Sequence, residues 1–157
     1  MFSRIKTVVT DVDGVLTDGT FTYTEEGKVA KQFGPHDSEG VRMLRAAGIE
    51  VRAVTADWRG LKITRARLRD MGVEVEIVSE EDRAVWFRKN FDPDTTAFVG
   101  DGYSDAAVMA ETNYGFAPAN AVLETYAAAD FGLYAAGGQG VLLEVALLIL
   151  GKREYCA

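Results

Sequence analysis

Short apolar runs alternate with helical stretches from one end of the chain to the other. Val8 and Val9 centre a run over 5–10 that predicts a strand. The stretch 38–47 predicts a helix, with Asp37 or Ser38 as its cap and Gly48 just past its end. Further strands are expected over 50–55, 73–77, 95–99, 114–117 and 131–134. Helices are expected over 60–71, 80–90, 103–111, 120–128 and 140–150. The 60–71 helix is basic and amphipathic through Leu61, Ile63, Leu68 and Met71, and Gly72 stops it. This order predicts a parallel sheet with helices on both faces. Right-handed crossovers then make a doubly wound parallel α/β sheet the expected fold.

One segment breaks the rhythm. The runs 19–24 and 28–33, joined by Glu25-Glu26-Gly27, predict a β-hairpin inserted between the first strand and the first helix. The sheet is complete without it, which marks it as a functional appendage. No repeat, linker or composition shift divides the chain, so 1–157 reads as one domain with a 19–33 insertion.

Composition narrows the function classes. A chain of 157 residues can bury a core without disulfides or a structural metal. A hydrophobic share of 48% excludes a disordered tail. With 24 acidic and 17 basic residues the net charge is −7, the opposite of what phosphate neutralisation by a nucleic-acid binder needs. An anionic small substrate stays open, because a bound divalent cation can reverse the local field. The lone Cys156 forms no intrachain disulfide and is poorly placed as a nucleophile. The first residues lack an apolar leader core. The longest apolar run, 141–150, is interrupted by Glu144 and too short for a bilayer. The expectation is a soluble, cytoplasmic protein with neither nucleic acid nor membrane as partner.

Candidate chemistry gathers at two strand ends. Asp11 and Asp13 close the first strand in Thr10-Asp11-Val12-Asp13-Gly14-Val15-Leu16-Thr17-Asp18-Gly19. Asp101 and Asp105 follow the 95–99 strand in Gly100-Asp101-Gly102-Tyr103-Ser104-Asp105. Open α/β sheets bind ligands at the carboxyl ends of their strands. Carboxylates this close repel unless a cation or proton is shared. Turn-forming aspartates would explain the first site, and a helix-dipole or cap role would explain Asp105. Together the four make a carboxylate cluster, and oxygen-only ligands suit Mg²⁺ rather than Zn²⁺.

At these motifs the chain resembles the haloacid dehalogenase (HAD) superfamily. The likeness rests on DVDGVLTDG and the later GDGYSD and runs over nearly the whole chain. The short DGVLTDG loop, a hairpin in place of a cap domain and the late Gly137-Gly138-Gln139-Gly140 resemble the cap-less sugar-acid phosphatases, typified by the 3-deoxy-D-manno-octulosonate (KDO) 8-phosphate phosphatases.

The resemblance implies a Mg²⁺-dependent phosphatase with an aspartyl-phosphate intermediate. Asp11 matches the nucleophile, and Asp13 the general acid/base, which also offers its backbone carbonyl to the metal. Asp101 matches a metal ligand, and Asp105 a ligand or a supporting partner. Thr55 matches the hydroxyl that binds the transferring phosphoryl group, with Ala56 beside it; a β-branched strand residue is its plain structural reading. For the fixed cation the candidates are Arg83 and Lys89. Arg83, at the start of the 80–90 helix, falls at the sheet's carboxyl edge and is preferred, against a role as an exposed residue paired with nearby acids.

The chain departs from this pattern in several places. Thr55-Ala56-Asp57-Trp58-Arg59 stands where the family continues Thr-Gly-Arg; Trp58 reads either as a shield of the site or as packing. His36 replaces a cation and reads as a substrate contact or an exposed loop residue. Gln139 and Leu143 replace basic residues. The substrate expectation is therefore a small phosphate ester, either KDO 8-phosphate, a nonulosonate 9-phosphate or another phosphorylated metabolite. The hairpin carries Phe21, Tyr23, Val29 and Phe33, and with the resemblance this predicts a homotetramer with hairpins at its centre, against a hairpin folded on its own domain as a private lid.

Two other readings compete. A receiver module shares the fold class and an acidic pocket, but needs an Asp after the third strand, where Val78-Ser79-Glu80 has none. A non-catalytic binding or assembly protein would have no need to keep Asp11, Asp13, Thr55, Asp101 and Asp105.

Overall fold

The computed structural model describes residues 1–154; Cys156 lies outside the described residues. The chain runs β1 (Thr7–Asp11), β2 (Thr17–Thr24), β3 (Gly27–Phe33), α1 (Asp37–Ala46), β4 (Glu50–Thr55), α2 (Leu61–Met71) and β5 (Glu74–Ile77). It continues through α3 (Arg83–Asn90), β6 (Thr96–Val99), α4 (Asp105–Met109), β7 (Gly115–Ala117), α5 (Leu123–Ala128), β8 (Phe131–Gly132) and α6 (Val141–Ile149). Six strands form one parallel sheet in the order β5-β4-β1-β6-β7-β8, and β2 and β3 pair apart from it. From β1 the chain steps outward to β4 and β5, then returns to β6 on the other side of β1. The order therefore reverses at β1 and β6, whose carboxyl ends carry Asp11 and Asp101.

Both sheet faces are covered, which is why the four consecutive residues Val8 to Asp11 of β1 are all buried. Val8 belongs to a large cluster shared with Leu44 of α1, Leu68 of α2 and Leu142 of α6. Its neighbour Val9 points the other way, into a smaller cluster with Phe87 of α3, Phe98 of β6 and Val108 of α4. Among the described residues no helix is long and apolar enough to cross a membrane.

The structure shifts several expected boundaries. α3 begins at Arg83 rather than 80, because Ser79 and Asp82 lock the preceding acids into a turn: Ser79 Oγ donates to Asp82 Oδ2 at 2.7 Å and accepts the Asp82 N–H at 3.2 Å. Neither Asp37 nor Ser38 caps α1, whose N-cap position is His36. The buried Asp37 carboxylate instead accepts the Leu142 N–H at the start of α6, at 2.8 Å, and so joins two helix starts.

The hairpin departs from simple alternation. Phe21 pairs with Lys31, Thr22 with Ala30, and Tyr23 with Lys28, so Val29 is bulged out of the ladder. A period of two would send Lys28 and Lys31 to opposite faces. The bulge returns both to the face that carries Phe21 and Tyr23.

Candidate active site

The first loop is built to hold its aspartates still. Thr17, fully buried, accepts the Gly14 N–H at 3.0 Å and the Gly19 N–H at 3.1 Å through its hydroxyl. Asn120 ties this loop to the late glycine-rich one, donating to Gly14 O at 2.9 Å and accepting the Gly137 N–H at 2.5 Å. A Cβ on Gly137 would stand 2.2 Å from Gly14 O, so the motif at 137–140 serves close backbone approach.

A cavity of about 270 Å³ opens at the carboxyl edge of the sheet, lined by Asp11, Asp13, Thr55, Ala56, Arg83 and Asp101, with Phe21 and Lys28 of the hairpin. Six of the residues expected from sequence thus converge there. Asp105 stands just behind: its Oδ2 accepts the N–H groups of Asp101 and Gly102, each at 3.0 Å, and its Oδ1 accepts from Arg83 at 2.7 Å. Arg83 Nη1 also lies 3.1 Å from Asp11 Oδ2. Lys89 is exposed on the far turn of α3.

Oxygen atoms of Asp11, Asp101 and Asp105 lie within 4.8 Å of one another. One buried guanidinium faces these three carboxylates. Burial and then Asp105 push Asp11 well above the ordinary carboxylate range, with Arg83 opposing. Burial and then Asp105 raise Asp101 to about 7. Burial alone would lower Arg83, but Asp11 and Asp105 outweigh it and raise it. Asp101 Oδ1 is buried without a hydrogen-bond partner among the described residues. Gly14, at φ 87, leaves it room, since a Cβ there would lie 1.9 Å from Asp101 Oδ2. An all-oxygen donor set with surplus negative charge and an unpartnered oxygen fits a hard divalent cation. The Asp13 carboxylate is not in this group, which leaves its backbone carbonyl as the atom it could offer a metal.

That carboxylate faces the hairpin. Its Oδ2 accepts from Thr55 Oγ1 at 3.2 Å, and its Oδ1 lies 2.7 Å from Lys31 Nζ. Asp57, where the resembled pattern has Arg, sits between Lys28 Nζ at 2.5 Å and Lys31 Nζ at 2.8 Å. Burial would raise Asp57, but the hydrogen bonds from Lys28 and Lys31 prevail and hold it at about 2. Lys28, Lys31 and Asp57 were not singled out from sequence. The bulge at Val29 hides the shared face of the two lysines, and Asp57 is otherwise indistinguishable from a turn residue.

Other expected residues stay away from the cavity. His36 is exposed at the start of α1, beside Gly140. Trp58 is 65% exposed, with Arg59 stacked over its ring at 4.4 Å, so it neither shields the site nor packs under a helix. Gln139 and Leu143 line a separate cleft with Tyr134 and Arg153.

No family model matches the chain. Among characterised proteins it is similar to the KDO 8-phosphate phosphatase KdsC of Haemophilus influenzae, at 34% identity over 152 residues, 94% of this chain and 83% of that one. KdsC of Salmonella typhi is 30% identical over 152 residues, 94% and 80% of the two chains. Among solved structures, the cobalt-bound H. influenzae enzyme superposes with a TM-score of 0.83 at 33% identity, over 94% of this chain and 88% of that one. The Moraxella catarrhalis enzyme in complex with magnesium, phosphate and KDO gives a TM-score of 0.79 at 27% identity, over 96% and 88%.

Proposed function

The chain belongs to the KDO 8-phosphate phosphatase family of HAD-fold hydrolases, and we propose that it is a Mg²⁺-dependent phosphatase of a small sugar-acid phosphate ester such as KDO 8-phosphate. The observation that carries this reading is the convergence of Asp11, Asp13, Arg83 and Asp101 on one cavity at the sheet's switch point.

Asp11 is the nucleophile. Its carboxylate attacks phosphorus, the bond from phosphorus to the leaving oxygen breaks, and an aspartyl-phosphate forms. Asp13 gives a proton to the leaving alkoxide, then takes one from the water that cleaves the phosphorus–Asp11 bond and frees phosphate. Arg83 orients Asp11 and Asp105 through its paired nitrogen and, as a guanidinium that lines the cavity, is the cation placed to meet a phosphoryl oxygen. Thr55 and Ala56 border the same oxygens. Asp11, Asp101 and the backbone of Asp13 hold Mg²⁺, with Asp105 as ligand or support; when bound, the cation offsets the repulsion between the Asp11 carboxylate and the phosphate.

A phosphorylated sugar acid does not cross a bilayer unaided, so this reading places the enzyme in the same compartment as its substrate, and we take that compartment to be the cytoplasm. The half-exposed Phe21, Tyr23 and Val29 support a homotetramer gathered on the hairpins. The deciding experiment is Mg²⁺-dependent phosphate release over a panel of sugar-acid phosphates, neutral sugar phosphates and aryl phosphates. Release from KDO 8-phosphate far above the neutral sugars supports the reading, and a preference for neutral sugars would refute the sugar-acid assignment.

A further inference from the structure

A lysine ammonium taken out of water costs several kcal/mol unless it is fully paired. The Lys31 side chain is 0% exposed, and an ammonium has three donors to satisfy. Three acceptors meet them: Asp13 Oδ1 at 2.7 Å, Asp57 Oδ2 at 2.8 Å and Thr64 Oγ1 at 2.9 Å. The lysine comes from β3, Thr64 from α2, and Asp57 from the loop after β4. Gly60 admits this crowding, since a Cβ there would lie 2.3 Å from Asp57 Oδ2 and 2.5 Å from Lys31 Cε.

Asp13 therefore has both carboxylate oxygens gripped, one by Lys31 and one by Thr55. Lys31 itself is not among the residues that line the cavity, whereas Asp13 and Lys28 are. Lys31 reaches the cavity through the two lining carboxylates it holds, Asp13 and Asp57, and of these Asp13 is the one read as moving a proton.

We propose that Lys31 is a positioning residue, a hairpin-borne ammonium anchored by Asp57 and Thr64 that fixes the Asp13 carboxylate in its orientation for proton transfer. This rests on the reading of Asp13 as general acid/base. Fixing a proton donor matters most where the leaving group needs its proton. An alkoxide needs it and a stable phenolate does not, so loss of Lys31 weighs on alkyl esters and spares aryl esters. Substrate binding, which Lys31 does not touch, stays as it was.

The test compares steady-state kinetics on KDO 8-phosphate and on p-nitrophenyl phosphate for wild type, Lys31→Met, Thr64→Val and Asp13→Asn, each with a thermal melt. Lys31→Met is expected to lose roughly 10–100-fold in kcat on the alkyl ester and less than about threefold on the aryl ester, with KM nearly unchanged. Thr64→Val removes one anchor without removing charge and should show the same bias at about three- to tenfold. If Lys31→Met does not fold, Thr64→Val decides by the same ratio. Equal losses on the two esters, or no loss, in a folded Lys31 or Thr64 variant overturn the proposal while Asp13→Asn still discriminates between them. If Asp13→Asn itself loses both equally, the acid/base reading falls and the Lys31 proposal falls with it.

Discussion

Arg83 and Asp11 form a buried ion pair, Nη1 to Oδ2 at 3.1 Å, in which the guanidinium is simultaneously 2.7 Å from Asp105 Oδ1. A helix start thus supplies a buried cation between a carboxylate at the end of β1 and one at the start of α4. Breaking such a pair from one side is costly, because it strands buried charge. Arg83→Ala should lower stability by roughly 3–5 kcal/mol in denaturant titrations and activity by at least about 100-fold. Lys89→Ala, on the exposed end of α3, should stay within about 0.5 kcal/mol of wild type. The opposite ranking in phosphate release would mean that the phosphate-binding cation lies elsewhere.

Asp11→Asn separates chemistry from stability. Turnover should fall below about a hundredth of wild type, because an amide is not a competent nucleophile here. In EDTA the variant should melt no lower than wild type, since burial and Asp105 already disfavour the Asp11 charge and Arg83 keeps Asp105 as its partner. A lower melting point in EDTA would show that the carboxylate stabilises the metal-free fold.

Metal removal has a thermodynamic readout besides activity. EDTA should abolish phosphate release and Mg²⁺ restore it. Mg²⁺ at 100 times its Kd should also stabilise the fold by about 2.7 kcal/mol. Asp101→Asn should lose most of that gain, because Asp101 carries the buried oxygen without a partner. Full activity in EDTA, or with Zn²⁺ alone, would contradict the oxygen-ligand assignment.

Asp37 should leave a pH signature. Burial raises its carboxyl from the usual 3.8 to about 6, against the hydrogen bond from Leu142. Below 3.8 the folded and unfolded chains both hold the proton. Between 3.8 and about 6 only the folded chain does, so stability falls as pH rises through that window. The loss is on the order of 3 kcal/mol above it. Urea titrations from pH 3.5 to 7.5 should show Asp37→Asn gaining on wild type across the window, and parallel curves for the two proteins would refute it.

The hairpin prediction concerns assembly. Phe21 and Tyr23 are each 53% exposed although their face also carries the two buried lysines. The hairpin is thus anchored on its own domain while its aromatic rim stays open. Tyr23→Glu, away from the lining of the cavity, should reduce a tetramer to smaller species by light scattering. A wild-type monomer, fully active at micromolar concentration, would remove the tetramer and leave the catalytic assignment standing.

Much of this was legible from the residues alone. Apolar runs with a period set by strand or helix fixed the α/β class, and β4 falls on 50–55 as expected. Asp11 and Asp101 were readable because acidic residues at the carboxyl ends of strands in a parallel sheet lie where such sheets bind ligands. The resemblance called for a fixed cation, Arg83 was preferred over Lys89 for its place at the helix start, and it is the buried one of the two. Those features depend on local periodicity, which survives without knowledge of the fold.

What tertiary structure decided lies where distant segments meet. Asp37 looked like a cap for its own helix, yet its carboxylate serves α6, because packing α1 against α6 brings an orphan N–H closer than any in α1. His36 read as a substrate contact or an exposed loop residue, and in the fold it is exposed and does not line the cavity of its own chain. Lys31 was not singled out, because nothing in the sequence separates it from the other lysine of the same strand, Lys28. A single bulged residue, Val29, restores its face, and only the folding of the hairpin onto α2 brings it to Asp13. Period-two reading carries no information about a bulge, and a buried charge is specified by partners that are remote in sequence.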